Sequence, residues 1–122
     1  MWTIAENTRK NRVEIIFAGA YGRQHDAFDA QLMAAAKRLK ASNGEFDCLV
    51  DMTQSHVAPQ EVTERGAEAI KWCLANGLRK GAFVHSSITG RMQIRRLAQG
   101  HEKLNYFTSV EEAKDWLDHT SF

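Results

Sequence analysis

Residues 46–60, FDCLVDMTQSHVAPQ, pass from a block of apolar side chains through an aspartate and a polar stretch to the chain's only proline. Cys48, Leu49 and Val50 in succession suit a strand covered on both faces, as interior parallel strands are. Pro59 fits the first turn of a helix, where its missing N–H is not needed. The stretch therefore predicts a strand over 46–50, a loop over 51–58 and a helix from 59. A covered parallel strand needs crossover connections to its neighbours, so the flanking chain has to alternate strands with helices.

It does so. Residues 12–18 alternate Val13, Ile15 and Phe17 with Arg12, Glu14 and Ile16, the period-two pattern of a strand. Residues 2–7 are a second candidate, and the polar 7–11 between them suits an antiparallel hairpin. Asp26 is placed to cap a helix to about residue 40, with Phe28, Leu32, Ala35 and Leu39 on one stripe and Ser42-Asn43-Gly44 as its stop. The helix from Pro59 ends at Asn76-Gly77 and buries Val62, Gly66, Ala69, Ile70, Cys73 and Leu74. Trp72, off that stripe, fits a groove edge or a contact in a homodimer. Residues 81–85 form a strand, 89–99 a short helix with Ile94 and Leu97 inward, and 106–107 a minimal strand. Ser109 and Glu112 have capping-box spacing, and Val110, Ala113, Trp116 and Leu117 give the last helix its apolar face. The prediction is one α/β domain over 1–122: a mixed, mostly parallel sheet of four to five strands with an N-terminal β-hairpin and about four helices.

Composition narrows the function. The net charge of +1 gives no bulk attraction to nucleic acid, and no window has the apolar length of a membrane span. Residues 1–10 carry Glu6, Arg9 and Lys10 and no apolar run, so a cytoplasmic location is expected. Cys48 and Cys73 read as buried thiols. The histidines at 25, 56, 85, 101 and 119 form no His-x-x-x-His pair and there is no Cys-x-x-Cys, so neither metal nor cofactor is expected. No nucleophile elbow or phosphate loop occurs. Arg79, Lys80, Arg91, Arg95 and Arg96 concentrate cations, with Arg91 and Arg95 an i,i+4 pair; they read as a solvated face, or a patch for an acidic partner or a phospholipid headgroup.

Ligands of open parallel sheets bind beyond the carboxyl ends of the strands. The loops 19–25, 51–58 and 86–87 share that edge and would gather Tyr21, Arg23, His25, Asp51, Thr53, Ser55, His56 and His85. The competing reading is that these side chains cap and turn, with Asp51 accepting loop amides.

With this order of elements, the opening hairpin, the strand-to-loop FDCLVDMTQ, the helix from Pro59, the strand GAFVH and the ending YFTSVEEAKDWL together resemble the STAS superfamily, closest to its small bacterial SpoIIAA-like, anti-sigma-factor-antagonist branch. The resemblance implies a non-enzymatic regulatory domain docking a protein partner (a kinase, an anti-sigma factor or a transporter) or a small anionic or lipid ligand at the edge around 51–58. In antagonist members a serine at the start of the helix after the central strand is phosphorylated, and the phosphate blocks docking. Matching Asp51-Met52-Thr53 to the family's Asp-Leu-Ser places that acceptor at about Gln60, which cannot take phosphate, and leaves Thr53 and Ser55 as substitutes. The alternative is a small-ligand or phosphate-handling enzyme using Asp51, His56 and His85 on the same edge.

Overall fold

The computed structural model of the protein describes residues 1–19, 25–98 and 100–119. Its elements are β1 (Trp2–Asn7), β2 (Arg12–Gly19), α1 (His25–Asn43), β3 (Phe46–Ser55), α2 (Gln60–Ala75), β4 (Leu78–Val84), α3 (Ile88–Ala98), β5 (Leu104–Phe107) and α4 (Val110–His119). The five strands lie in chain order, β1-β2-β3-β4-β5. β1 and β2 pair antiparallel from Trp2 opposite Phe17 to Asn7 opposite Arg12, and β2 to β5 run parallel. The expected α/β architecture, hairpin included, is therefore the one observed.

Three right-handed crossovers stepping across a sheet in one direction put their helices on one face. Leu32, Ala35 and Leu39 of α1, Cys73 of α2 and Ile94 of α3 accordingly share a core with Val13, Ile15, Phe46, Cys48, Val50 and Phe83. α4 follows the last strand, crosses no further, and folds to the other face, where Ala113 and Leu117 meet Leu49, Ala82 and Val84. Gly44 ends α1 in the left-handed conformation (φ 79°), its N–H donating to the Lys40 carbonyl at 2.7 Å. Ser109 caps α4, its Oγ accepting the Glu112 N–H at 3.2 Å.

Several boundaries move. β3 continues to Ser55, so Asp51, Thr53 and Ser55 are strand residues and not loop residues. β2 supplies the reason: it runs on to Gly19 and pairs Ala18 with Gln54 and Gly19 with Ser55, past a register irregularity after Ile16. A neighbour offering backbone partners outweighs the loop-like Thr-Gln-Ser chemistry. Pro59 sits one residue before α2, at its N-cap. β4 begins at Leu78, which puts Lys80 on the same face as Ala82 and Val84, buried under α4; its ammonium donates to the Leu117 carbonyl and lies 5.9 Å from the centre of the Trp116 ring. The basic stretch is thus two things. Arg79 is spent on the buried Asp47 (2.7 and 3.0 Å) and Lys80 on α4, while Arg91, Arg95 and Arg96 lie on α3.

Candidate functional site

The exits of β2, β3 and β4 do meet at one edge. The His56 N–H donates to the Gly19 carbonyl at 2.9 Å, and Ser86 Oγ to the Thr53 carbonyl at 3.5 Å. Tyr21, Arg23 and the side chain of His25 lie outside the described residues. The remaining predicted residues share the edge without converging. Asp51 pairs with Val84, so the pleat turns it toward the α4 face, where its Oδ1 accepts both the N–H (2.9 Å) and the hydroxyl (2.7 Å) of Thr53. That is the capping role, and it engages Thr53 too. Ser55 Oγ donates to the Met52 carbonyl at 2.9 Å, and His56 is exposed.

His85 faces the other way. It is buried, and its Nδ1 accepts the Ser87 N–H at 3.2 Å, which leaves the proton of the neutral ring on Nε2. Burial holds its pKa below the usual histidine value. Gly90 of α3 packs on the ring so closely that a Cβ there would lie 2.4 Å from its atoms. Nε2 has no hydrogen-bond partner among the described residues.

His85 stands in the wall of a cavity of about 200 Å³ between the sheet and the layer of α1, α2 and α3. The floor is Ile15, Phe17, Cys48, Val50, Met52 and Phe83. The roof comes from Phe28 and Leu32 of α1, Val62, Gly66, Ala69 and Ile70 of α2, and Ile94 and Leu97 of α3. Its few polar lining groups include one set on the α1 side and one on the α3 side. In the first, Arg65 of α2 bridges Asp26 and Asp29 of α1 (3.0 Å each), beside the stacked Trp2, Phe17 and Phe28. In the second, Gln93 donates to the Ala58 carbonyl at 2.8 Å and accepts its N–H at 3.3 Å, next to His85. Among the described residues no three His, Cys, Asp or Glu side chains converge as a metal site.

Sequence reasoning missed this cavity, because the apolar face of α2 was expected to be packed. Only Cys73 of that face is fully buried. The signal lay in its small residues: a Cβ on Gly66 would meet no heavy atom within 4 Å. Void lining of this kind lacks dispersion partners, so an unfilled apolar cavity costs stability that a ligand restores.

Both cysteines also line the cavity floor and roof. Burial pushes the Cys73 thiol up to about 12, and burial, then Cys73 and Asp47, raises Cys48 well above its usual value. With an ordinary value of 9.0, that displacement cuts the reactive thiolate of Cys73 on the order of 1,000-fold. Ellman's reagent is therefore expected to label the folded protein at least about 100-fold more slowly than the urea-unfolded chain. Comparable rates for the two would show the thiols to be accessible and the cavity wall wrongly placed.

Comparison with models of known protein families gives no match, and comparison with curated protein sequences gives none.

Proposed function

We propose that this chain is a non-enzymatic, STAS-like binding domain of the SpoIIAA-like kind, holding a small, largely apolar molecule between its sheet and its three-helix layer. The observation that carries the reading is the apolar cavity with the buried residue His85 in its wall on the α3 side, the ring's Nε2 having no hydrogen-bond partner among the described residues. A cavity of about 150 Å³ lined by Leu, Ile and Phe takes up benzene, so about 200 Å³ suits a single ring or a short acyl chain bearing one acceptor for His85. Met52 and Ala58 bring the edge around 51–58 into the wall. A protein partner docking on that edge would then sense whether the cavity is filled, a regulatory role that needs no catalytic group. An enzyme built on Asp51, His56 and His85 is less well supported, since Asp51 and His85 lie on opposite faces of the sheet.

Native mass spectrometry and organic extraction of the purified protein test the reading, followed by titration with octanoate and with 1-naphthol. A copurified small apolar molecule, or saturable binding of either probe, is expected. Gly66→Phe, which fills the space beside α2, is expected to weaken binding at least about ten-fold while the circular dichroism spectrum is unchanged. An empty protein that binds neither probe, or a Gly66→Phe variant that binds as tightly as the parent, would overturn it.

A further inference from the structure

Between Glu68 and Glu102 the chain has no carboxylate and six cations, although the whole chain is nearly neutral. Three of those cations are occupied or set apart: Arg79 pairs with Asp47, Lys80 is buried, and Lys71 is on α2. The other three lie on α3 and make no ion pair among the described residues. α3 turns Gly90, Ile94 and Ala98 inward. At 3.6 residues per turn the middle of its outward face is then Ile88 and Met92, a turn apart and 71% and 53% exposed. Arg91 and Arg95 run along one side of this pair and Arg96 along the other. Val57, also exposed, precedes the segment that Gln93 ties to α3.

We propose that the outward face of α3 docks on an anionic bilayer surface, with Ile88 and Met92 inserted at the headgroup–acyl boundary and Arg91, Arg95 and Arg96 paired with lipid phosphates. Apolar side chains flanked by arginines are the pattern of an interfacial helix, whose long cationic stems reach up to the headgroups while the apolar centre sinks. The occupant follows from charge and shape. A helix face with three cations and no acid is complementary to a uniformly negative surface. Protein–protein patches more often interleave both signs around an aromatic anchor, and this ridge has none. A single convex ridge also gives a rigid partner little to close around, whereas a bilayer yields to it. Docking does not require the cavity to be filled. Since Gln93, Ile94 and Leu97 of the same helix line the cavity, however, the docked face would lie one helix away from it.

Co-sedimentation with vesicles decides the matter, using the full chain without added ligand. Vesicles of phosphatidylcholine with phosphatidylserine are expected to bind at low salt and to release the protein as salt is raised, and phosphatidylcholine alone is expected to bind little. With about a five-fold contribution from each cation near such a surface, replacing Arg91, Arg95 and Arg96 together by glutamine should reduce partitioning on the order of 100-fold. Ile88→Ser with Met92→Ser should reduce it roughly ten-fold or more through lost apolar burial. Lys37→Gln with Lys114→Gln, exposed cations on α1 and α4, should leave it within about two-fold. All of these positions but the half-buried Arg91 are exposed, and thermal melting verifies that each variant folds. A protein that stays unbound from the anionic vesicles at low salt, or an arginine variant that binds as well as the parent, overturns the proposal. Arginine-dependent capture of polyglutamate without vesicle binding also overturns it and assigns the face to an acidic protein.

Discussion

Asp118→Ala is expected to lower the free energy of unfolding by about 3 kcal/mol, although the residue lies in the last turn of the last helix. The reason is its partner. Arg12 opens β2 with a side chain only 3% exposed, and its Nη2 donates to Asp118 Oδ1 at 2.5 Å. The other contacts among the described residues are weak: Glu14 stands 3.8 Å from Nη1, and Nε has no hydrogen-bond partner there. Removing the aspartate leaves a buried guanidinium with one distant carboxylate, and uncompensated buried charge is what makes such deletions cost 3–5 kcal/mol. The lower end applies because Asp118 itself is a quarter exposed. Arg12→Met combined with Asp118→Ala should recover most of the loss, since an apolar pair of similar volume replaces a buried ion pair at little net cost.

The same pair sets an acid limb. Burial works to raise the Asp118 carboxyl, but the hydrogen bond and charge of Arg12, with Lys10 at 3.5 Å, outweigh it and hold the group below its ordinary 3.8. A depressed carboxyl contributes stability that is fully present above the unfolded value and is lost as pH falls through the folded one. Urea denaturation of the parent should therefore weaken below about pH 4 more steeply than that of Asp118→Ala. A single variant within about 1 kcal/mol of the parent, or a double variant as unstable as the single, would refute the assignment of the energy to the buried charge.

Arg12 and Lys80 mark where the sequence ceases to be readable. The elements themselves were legible, because β2, α1 and α4 carry clean two-fold or 3.6-fold apolar patterns, and Ser109 and Gly44 punctuate them. So was the shared edge, since crossovers place the exits of β2, β3 and β4 together whatever the side chains are. A buried cation has no such signature. Lys80 reads as one of a run of surface charges until β4 is known to start at Leu78. Arg12 reads as the polar phase of an alternating strand until α4 is known to cover that face. Both end beneath the carboxyl end of α4, where cations suit the helix dipole, and only tertiary placement reveals it. The cavity was hidden for a related reason. Periodicity reports which residues face inward, and it does not report whether the inward residues reach one another. Met52, between Asp51 and Thr53, lines the cavity, while the polar pair flanking it bonds to itself.

Gly66 and Gly90 bring that distinction to a measurement. Each is the interior glycine of its helix, α2 or α3, and neither has a positive φ, so alanine should gain about 0.5–1 kcal/mol of helix propensity at both. At Gly66 nothing stands against the gain, because the new methyl would enter open space; Gly66→Ala is expected to stabilise by that amount. At Gly90 the methyl would meet Cγ, Cδ2 and Nε2 of His85 at 2.4 Å. The ring cannot easily turn aside. Ser87 holds its Nδ1 through both N–H and hydroxyl (3.2 and 3.3 Å), and Ser87 Oγ also accepts the Gly90 N–H at 3.0 Å. Overpacking of this kind costs about 1–3 kcal/mol, so Gly90→Ala should be destabilising by about 1–2 kcal/mol after the propensity gain is subtracted, the opposite sign to Gly66→Ala. His85→Ala in the Gly90→Ala background removes the obstruction, and the double-mutant cycle should return a favourable coupling of at least about 1 kcal/mol. Equal melting shifts for the two glycine variants, or a coupling near zero, would mean that α3 does not rest on His85 and that this part of the cavity wall is built some other way.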